Sequence, residues 1–291
     1  MSNARAQDHL RLALPKGRMQ EGVFRLLADA GIAVEADGRS YRPRLSLADF
    51  EAKILKPQNI IEMLHMGSRD AGFAGADWAA ELKADVVELL DTGLDPVKLV
   101  AAAPTHILVG GRLPKRPLVV ASEYERLTKD WIARTGLDAT FVKSFGATEV
   151  FPPEDADCIV DNSATGSTLR ANRLDVVDTV MTSSTRLYAS PRALKDAAAR
   201  GAIERLVLLL RSVLEARRRV MLEVNVSKDN LEALVKLLPC MRHPTIAPLF
   251  GEDGFAVKAA VPREQLPALI PQIKAHGGTD IVVTAPDHLV P

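Results

Sequence analysis

Residues 157–169 read Asp-Cys-Ile-Val-Asp-Asn-Ser-Ala-Thr-Gly-Ser-Thr-Leu, and this stretch decides how the chain is organised. The apolar run 158–160 predicts a buried strand, and Asp161 follows at its carboxyl end, where an α/β sheet exposes its ligand crevice. Hydroxyl side chains flank Gly166, and helix-compatible residues follow Leu169. Backbone N–H groups and hydroxyls at such a strand-to-helix turn favour a phosphate group. The acid just before the turn is placed to hydrogen-bond a ribose diol.

The same pattern also has a purely structural interpretation. Asp and Thr residues between a strand and a helix often act only as N-caps and turn formers. The residue types alone leave both interpretations open.

A family resemblance favours the phosphate site. Segment 161–169 resembles the phosphoribosyl-pyrophosphate loop of the ATP phosphoribosyltransferase family, whose pattern is Asp, three residues, Ser or Thr, Gly, any residue, Thr, and Leu or Met. The matching residues are Asp161, Thr165, Gly166, Thr168 and Leu169. The resemblance implies that Asp161 binds the ribose hydroxyls. It also implies a substrate-binding loop made of Ser163, Ala164, Thr165, Gly166, Ser167 and Thr168.

Composition limits the function classes. With 291 residues, 47% of them hydrophobic, the chain has room for two or three domains with substantial cores. Lys plus Arg and Asp plus Glu number 37 each, so no bulk charge favours nucleic acid or a membrane surface. Cys158 and Cys240 are too few for a disulfide framework and lack companion metal ligands. The polar residues 1–9 and the absence of a membrane-length apolar run lead us to expect a cytoplasmic protein.

A second candidate site lies near the N-terminus. Residues 10–14 alternate like a strand, and apolar residues from Met19 onward recur at helical spacing. Lys16 and Arg18 therefore lie in a strand-to-helix turn that suits a pyrophosphate, although a solvated basic turn is the structural alternative. Residues 14–18, Leu-Pro-Lys-Gly-Arg, resemble a stretch near the start of the family's sequences that contributes to the substrate pocket.

Three further residues are candidates through the same resemblance. Lys56 stands before a helix that begins near Pro57 and is a candidate phosphate contact, with a surface lysine as the alternative. Asp77 ends a Gly-x-Asp stretch after the strand predicted at 71–75, and it either caps the following helix or contacts substrate. Glu149 follows the strand predicted at 139–145, and the resemblance implies that it orients the ribose or neighbouring groups.

The chain departs from the family pattern at two places. Asn162 occupies a position that is usually aliphatic in the family. The spacing between Glu149 and residues 156–157 is one residue shorter than usual and lacks the common Gly.

Alternating strands and helices predict an α/β fold. Predicted strands at 97–103, 176–180 and 186–189 cross between two lobes, and residues 41–56 look less regular. The family implies a bilobal, periplasmic-binding-protein-like catalytic region. We assign lobe I to residues 1–103, completed by 184–218, and lobe II to residues 104–183.

Residues 219–291 predict a separate βαββαβ unit, which is ferredoxin-like and ACT-like. Ser227 is expected to cap its first helix, and residues 246–250 and 254–261 are expected to pair around the turn 251–253. The tail resembles the C-terminal domain of long-form ATP phosphoribosyltransferases, in which histidine binds as feedback inhibitor. Thr245 is the best candidate for an allosteric histidine contact and Asn225 a weaker one.

The implied reaction is attack by N1 of the ATP adenine on the anomeric carbon of phosphoribosyl pyrophosphate, in the first step of histidine biosynthesis. Lys16 and Arg18 would hold phosphates near the leaving group, and Mg²⁺ would bind chiefly through pyrophosphate oxygens rather than protein ligands. The family also implies a homo-oligomer, a hexamer with a lighter active form. A non-catalytic bilobal solute-binding protein and a regulatory subunit are the alternatives.

Overall fold

The structure is a computed structural model that describes residues 9–36, 40–251 and 253–291. It divides the chain into two compact units. The first contains the described residues through Arg25 together with Ile32–Ile203, and the second contains Leu26–Gly31 with Glu204–Pro291. Among the described residues, no helix is both long and apolar enough to span a bilayer.

The structure contains strands and helices in alternation, numbered here in chain order. The strands are β1 (Leu10–Pro15), β2 (Val34–Glu35), β3 (Arg44–Leu45), β4 (Phe50–Leu55), β5 (Ala71–Gly75), β6 (Val87–Pro104), β7 (Leu118–Ser122), β8 (Ala139–Lys143), β9 (Cys158–Ser163), β10 (Leu174–Ala189), β11 (Arg219–Ser227), β12 (Thr245–Pro248), β13 (Gly254–Pro262) and β14 (Thr279–Thr284). The helices are α1 (Arg18–Asp29), α2 (Pro57–His65), α3 (Ala76–Glu81), α4 (Glu125–Thr135), α5 (Ser167–Ala171), α6 (Pro191–Lys195), α7 (Ala197–Arg218), α8 (Leu231–Leu237) and α9 (Leu266–Ala275).

The first unit contains an eight-stranded sheet in the order β4-β1-β5-β10-β6-β9-β7-β8. At one end β1 pairs in parallel with β4 and β5, and at the other β7 pairs in parallel with β8 and β9. The long strands β6 and β10 pair antiparallel between these two groups. The expected mixed α/β architecture is therefore confirmed, with a large sheet rich in parallel pairs.

The two crossing strands are longer than the sequence pattern predicted. The strand expected at 97–103 begins at Val87, and the segments expected at 176–180 and 186–189 are parts of the single strand β10. Register shifts between Val176 and Asp178 and between Ser183 and Thr185 interrupt the pairing. These irregularities bend the ladder and break the period-2 alternation on which strand prediction depends.

Residues 41–56 are also more regular than expected. The strand β4 lies within them, and its residues alternate between buried and half-buried positions along Phe50–Leu55. Glu51 and Lys53 alternate with buried apolar residues, which is the period-2 pattern typical of a half-buried strand, and the sequence prediction overlooked it.

The second unit contains a four-stranded antiparallel sheet in the order β12-β13-β11-β14, which is the ferredoxin-like arrangement. Side chains at alternate β11 positions, such as Leu222 and Val224, join a core with residues of α8 and α9. Ser227 makes no side-chain cap, contrary to the prediction, because a 3₁₀ turn at Lys228–Asn230 precedes α8.

The strand β12 begins and ends slightly earlier than the segment expected at 246–250, and it pairs with β13 as expected. One residue of the turn expected at 251–253, Glu252, lies outside the described residues.

Candidate active site

The strand β9 places the predicted loop at the edge of a cavity. Ile159 and Val160 of this strand are fully buried, and the loop that follows leads into the short helix α5. Leu169 of that helix is 5% exposed and packs with Ile159 in one core cluster. Because both ends of the loop are fixed in the core, the polar residues between them are held in one place.

Gly166 allows the sharp turn in this loop. Its φ is +73°, a left-handed conformation that side chains rarely adopt. An added Cβ atom would also lie 2.9 Å from Nη1 of Arg170. The backbone conformation therefore favours glycine at this position, and a larger residue would also displace the Arg170 guanidinium group.

The structure brings most of the predicted site residues into one cavity of about 270 Å³. Eleven residues line this cavity, and two of them, Asn162 and Leu169, were not predicted to contribute to the site. Nine predicted residues contribute to its lining: Arg18, Glu149, Asp161, Ser163, Ala164, Thr165, Gly166, Ser167 and Thr168. One cavity therefore places a cation and two carboxylates beside a loop of hydroxyl groups.

Asp161 has a perturbed pKa. Burial raises the pKa of its carboxyl group to about 6, and the nearby charges of Glu149 and Glu123 act in the same direction. A hydrogen bond from the backbone N–H of Asn162 to Asp161 Oδ1, 2.7 Å long, partly opposes this rise. The carboxylate therefore gains its charge close to neutral pH, which is typical of a group held for binding or catalysis.

Glu149 reaches the cavity from a tight turn after β8. Ala147 in this turn has a φ of +48°, and a 3₁₀ turn at Thr148–Val150 follows it. The buried hydroxyl groups of Ser144 and Thr148 share a hydrogen bond of 2.7 Å across the turn. This contact fixes the backbone on which Glu149 stands.

Lys16 and Lys56 do not contribute to the lining described above. The ammonium group of Lys16 donates a hydrogen bond of 2.7 Å to the hydroxyl of Tyr41 and lies 4.8 Å from the centroid of its ring. That bond and the lysine charge lower the pKa of Tyr41. Lys56 is exposed at the N-cap position of α2. The predicted substrate contacts of both lysines remain predictions.

Asp77 is buried away from that lining. It is 4% exposed, and its carboxylate accepts hydrogen bonds from the side chains of Ser183, Tyr124 and Asn162. The capping alternative was wrong, because Gly75 is the N-cap residue of α3 and the helix has no side-chain cap. A substrate contact by Asp77 also remains a prediction.

Sequence reasoning missed three polar residues at or near the site. It described Asn162 only as a departure from the family pattern, and it overlooked Tyr124 and Arg170. Arg170 stands two positions after Thr168, where a cation beside a phosphate loop was a usable signal. The buried contacts of Tyr124 had no local signal, because its partner Asp77 lies 47 positions away.

Comparisons with known proteins agree with this geometry. The ATP phosphoribosyltransferase family profile matches residues 56–212, and the profile described as "HisG, C-terminal domain" matches residues 216–285. An ATP phosphoribosyltransferase of Chlorobium phaeobacteroides is 35% identical over 280 residues, covering 94% of this chain and 95% of the relative. One of Pelotomaculum thermopropionicum is 36% identical over 278 residues, covering 94% and 96%.

A solved structure is also similar. It is that of an ATP phosphoribosyl transferase (HisG:HisZ) complex from Thermotoga maritima, and it matches with a TM-score of 0.62 and 25% identity. The match covers 71% of this chain and 98% of that chain.

Fold, cavity and relatives together define a pentosyltransferase, an enzyme that transfers a ribose group from a leaving anion to a nucleophile. The chain belongs to the ATP phosphoribosyltransferase family. Its substrates are ATP and phosphoribosyl pyrophosphate, and its reaction is the first step of histidine biosynthesis.

Proposed function

We propose that the cavity beside β9 binds phosphoribosyl pyrophosphate with its 5′-phosphate in the loop 163–168. The hydroxyls of Thr165, Ser167 and Thr168, with N–H groups at the first turn of α5, donate to the phosphate oxygens. The Asp161 carboxylate accepts hydrogen bonds from the ribose hydroxyls. The gathering of a carboxylate and this hydroxyl loop around one cavity is the observation that carries the proposal.

The remaining groups act on the charges of the transition state. As N1 of adenine attacks the anomeric carbon, positive charge develops on the ribose ring and negative charge on the departing pyrophosphate. Asp161 and Glu149 stabilise the positive charge, and Arg18 stabilises the negative charge. Lys16 joins Arg18 by exchanging its Tyr41 contact for a phosphate oxygen. Catalysis therefore depends chiefly on placing the two substrates and on fixed charges.

The proposed cofactor is Mg²⁺. Within the described ranges, no group of three or more His, Cys, Asp and Glu side chains is arranged to hold a metal. The Asp161 and Glu149 carboxylates line the cavity beside the proposed pyrophosphate position, where Mg²⁺ would bind chiefly through pyrophosphate oxygens and waters rather than protein ligands. These residues fit an ion that arrives with pyrophosphate, whose bound charge would neutralise the leaving group.

We further propose that residues 219–291 form a regulatory domain that binds histidine. Asn225 alternates with the core residues of β11, so it lies on the sheet face opposite the helices. Thr245 pairs with Lys258 and is exposed. Lys258 pairs in turn with Glu223, two positions from Asn225, so both candidates share that face. The exposed polar groups of this sheet face suit a free amino acid, which carries a positive ammonium group and a negative carboxylate group.

The lobe boundaries, a homo-oligomeric hexamer and a cytoplasmic location remain proposals. The division between the two compact units falls within α7, whereas we place the start of the regulatory domain after that helix.

A binding experiment tests the proposed site directly. Calorimetry with phosphoribosyl pyrophosphate and Mg²⁺ should give weaker binding to the Asp161→Asn variant than to the unmodified protein. Pyrophosphate release with ATP present should fall in parallel. Unchanged binding and turnover in this variant would contradict the assignment of Asp161.

A further inference from the structure

A cluster of buried polar side chains lies behind the cavity, and we call it the Asp77 cluster. It contains Asp77 of α3, Tyr124 before α4, Asn162 of β9 and Ser183 of β10. The Asp77 carboxylate accepts hydrogen bonds from Ser183 Oγ at 2.9 Å, the Tyr124 hydroxyl at 2.8 Å and Asn162 Nδ2 at 2.9 Å. The cluster therefore joins four separate elements through one buried carboxylate.

The sequence makes room for this cluster. A Cβ atom at Gly75 would lie 2.0 Å from Asp77 Oδ1, so only glycine permits the observed carboxylate position. The Tyr124 ring lies against Trp78, with ring centroids 4.5 Å apart. Burial and the charge of Asp77 raise the pKa of Tyr124, so its hydroxyl remains a proton donor to the carboxylate. The Asp77 carboxylate and the Tyr124 hydroxyl are therefore held in fixed positions.

Asn162 connects the cluster to the candidate active site. Asp161 and Asn162 both line the cavity, and the Asn162 side chain also reaches the cluster, where its Nδ2 atom donates to Asp77. The backbone N–H of Asn162 donates to Asp161 Oδ1 at 2.7 Å. Fixing the Asn162 side chain therefore fixes the peptide group that holds the Asp161 carboxylate.

The Asn162 side chain is not explained by packing alone. Its Nδ2 atom donates to Asp77 and also lies 2.5 Å from the Tyr124 hydroxyl, whereas its Oδ1 atom is buried without a partner among the described residues. An unpaired buried acceptor costs stability. An aliphatic side chain would avoid that cost but could not donate to Asp77.

We propose that Asn162 is a positioning residue for ribosyl transfer, anchored by Asp77 and Tyr124 so that its backbone orients the Asp161 carboxylate toward the ribose. This inference rests on the proposed function, in which Asp161 contacts the ribose hydroxyls. Asp77 and Tyr124 act through Asn162 and need not touch the substrate.

The Asn162→Leu variant tests the proposal, because it removes the amide at nearly constant size. Pyrophosphate release is measured at saturating ATP over a range of phosphoribosyl pyrophosphate concentrations and from pH 5 to 9, on the full-length protein. We expect kcat/KM for phosphoribosyl pyrophosphate to fall about tenfold or more, with kcat falling as well. Asn59→Leu, at an exposed position of α2, is the matched control and should keep the unmodified values.

The pH profile separates positioning from a merely structural role. Asp161 faces the charges of Glu149 and Glu123 as well as the Asn162 N–H, and only that N–H lowers its pKa. A displaced Asn162 backbone should therefore move the acid limb of the kcat/KM profile to higher pH. A side chain that only supports packing would lower the melting temperature and leave kcat and the acid limb unchanged.

Tyr124→Phe gives a second test in case the leucine variant folds poorly, because it removes a single oxygen atom. It should reduce kcat in the same direction, and in the double variant the two effects should be less than additive because one anchor is shared. Normal kcat and an unmoved acid limb in the folded variants would overturn the proposal.

The Asp161→Asn variant distinguishes a failure of the proposed role of Asn162 from a failure of the proposed role of Asp161. If it is impaired while the Asn162 and Tyr124 variants are normal, only this inference fails. If it retains full activity, the proposed role of Asp161 fails, and this inference fails with it.

Discussion

Thr168→Val should weaken the binding of phosphoribosyl pyrophosphate without unfolding the protein. The substitution keeps the branched shape and removes one hydroxyl group. Thr168 is exposed in the cavity, and its hydroxyl makes no hydrogen bond within the part of the chain that the structure describes. Its loss therefore leaves no protein group unpaired, and the free energy of unfolding should change by less than about 0.5 kcal/mol.

The effect on binding should be much larger. A hydrogen bond to a charged phosphate contributes about 1.5–3 kcal/mol, which corresponds to a roughly 10- to 150-fold higher Kd. Calorimetry with phosphoribosyl pyrophosphate and Mg²⁺ measures the Kd directly, and pyrophosphate release at saturating ATP measures the matching KM. Thr140→Val is the control, since Thr140 is exposed on β8 outside the cavity lining. A Kd within twofold of the unmodified value for Thr168→Val would refute the phosphate assignment of the loop.

Three further predictions concern pH, packing and regulation. Because the pKa of Asp161 is about 6, kcat/KM should fall as the pH drops through that value and the carboxylate is protonated, and Glu149→Gln should move this limb to lower pH. Gly75→Ala should lower the free energy of unfolding in urea by about 1–3 kcal/mol, because its Cβ atom would overlap the Asp77 carboxylate. Thr245→Val should raise the histidine concentration for half-inhibition about tenfold, at constant uninhibited kcat.

Each of these predictions has a control. An acid limb that Glu149→Gln leaves in place would belong to the substrate's own phosphate group, whose second pKa is also about 6. Gly22→Ala in α1 places its Cβ atom at an ordinary 3.5 Å from Asp95 Oδ2 and should be neutral or stabilising, unlike Gly75→Ala. Thr284→Val, on exposed β14, should leave histidine inhibition unchanged. Equal inhibition of the Thr245 variant would reject the proposed effector contact.

Local sequence patterns were sufficient to predict the loop and the elements around it. The apolar run 158–160, the hydroxyl-rich turn and the helix after it all occur where their residue types indicate. The C-terminal βαββαβ order was also predictable, because buried residues recur at alternate positions along β11 and over residues 257–261 of β13.

The missed features depend on contacts between distant residues. The crossing strands extend through polar and irregular segments that only their mutual pairing stabilises. The Asp77 cluster joins residues up to 106 positions apart, so no local pattern could indicate it. The phosphate contact of Lys16, expected from its turn and the family resemblance, stays a prediction, and the contact of Lys16 with the hydroxyl and ring of Tyr41 had no local signal in the sequence.

A crystal structure with bound phosphoribosyl pyrophosphate tests the central claim most directly. The account predicts that the 5′-phosphate lies in the loop 163–168, with its oxygens about 2.7–3.0 Å from the Thr168 hydroxyl and the loop N–H groups. It also predicts that the ribose hydroxyls donate to Asp161. A sugar phosphate bound elsewhere, with the loop left empty, would contradict the account.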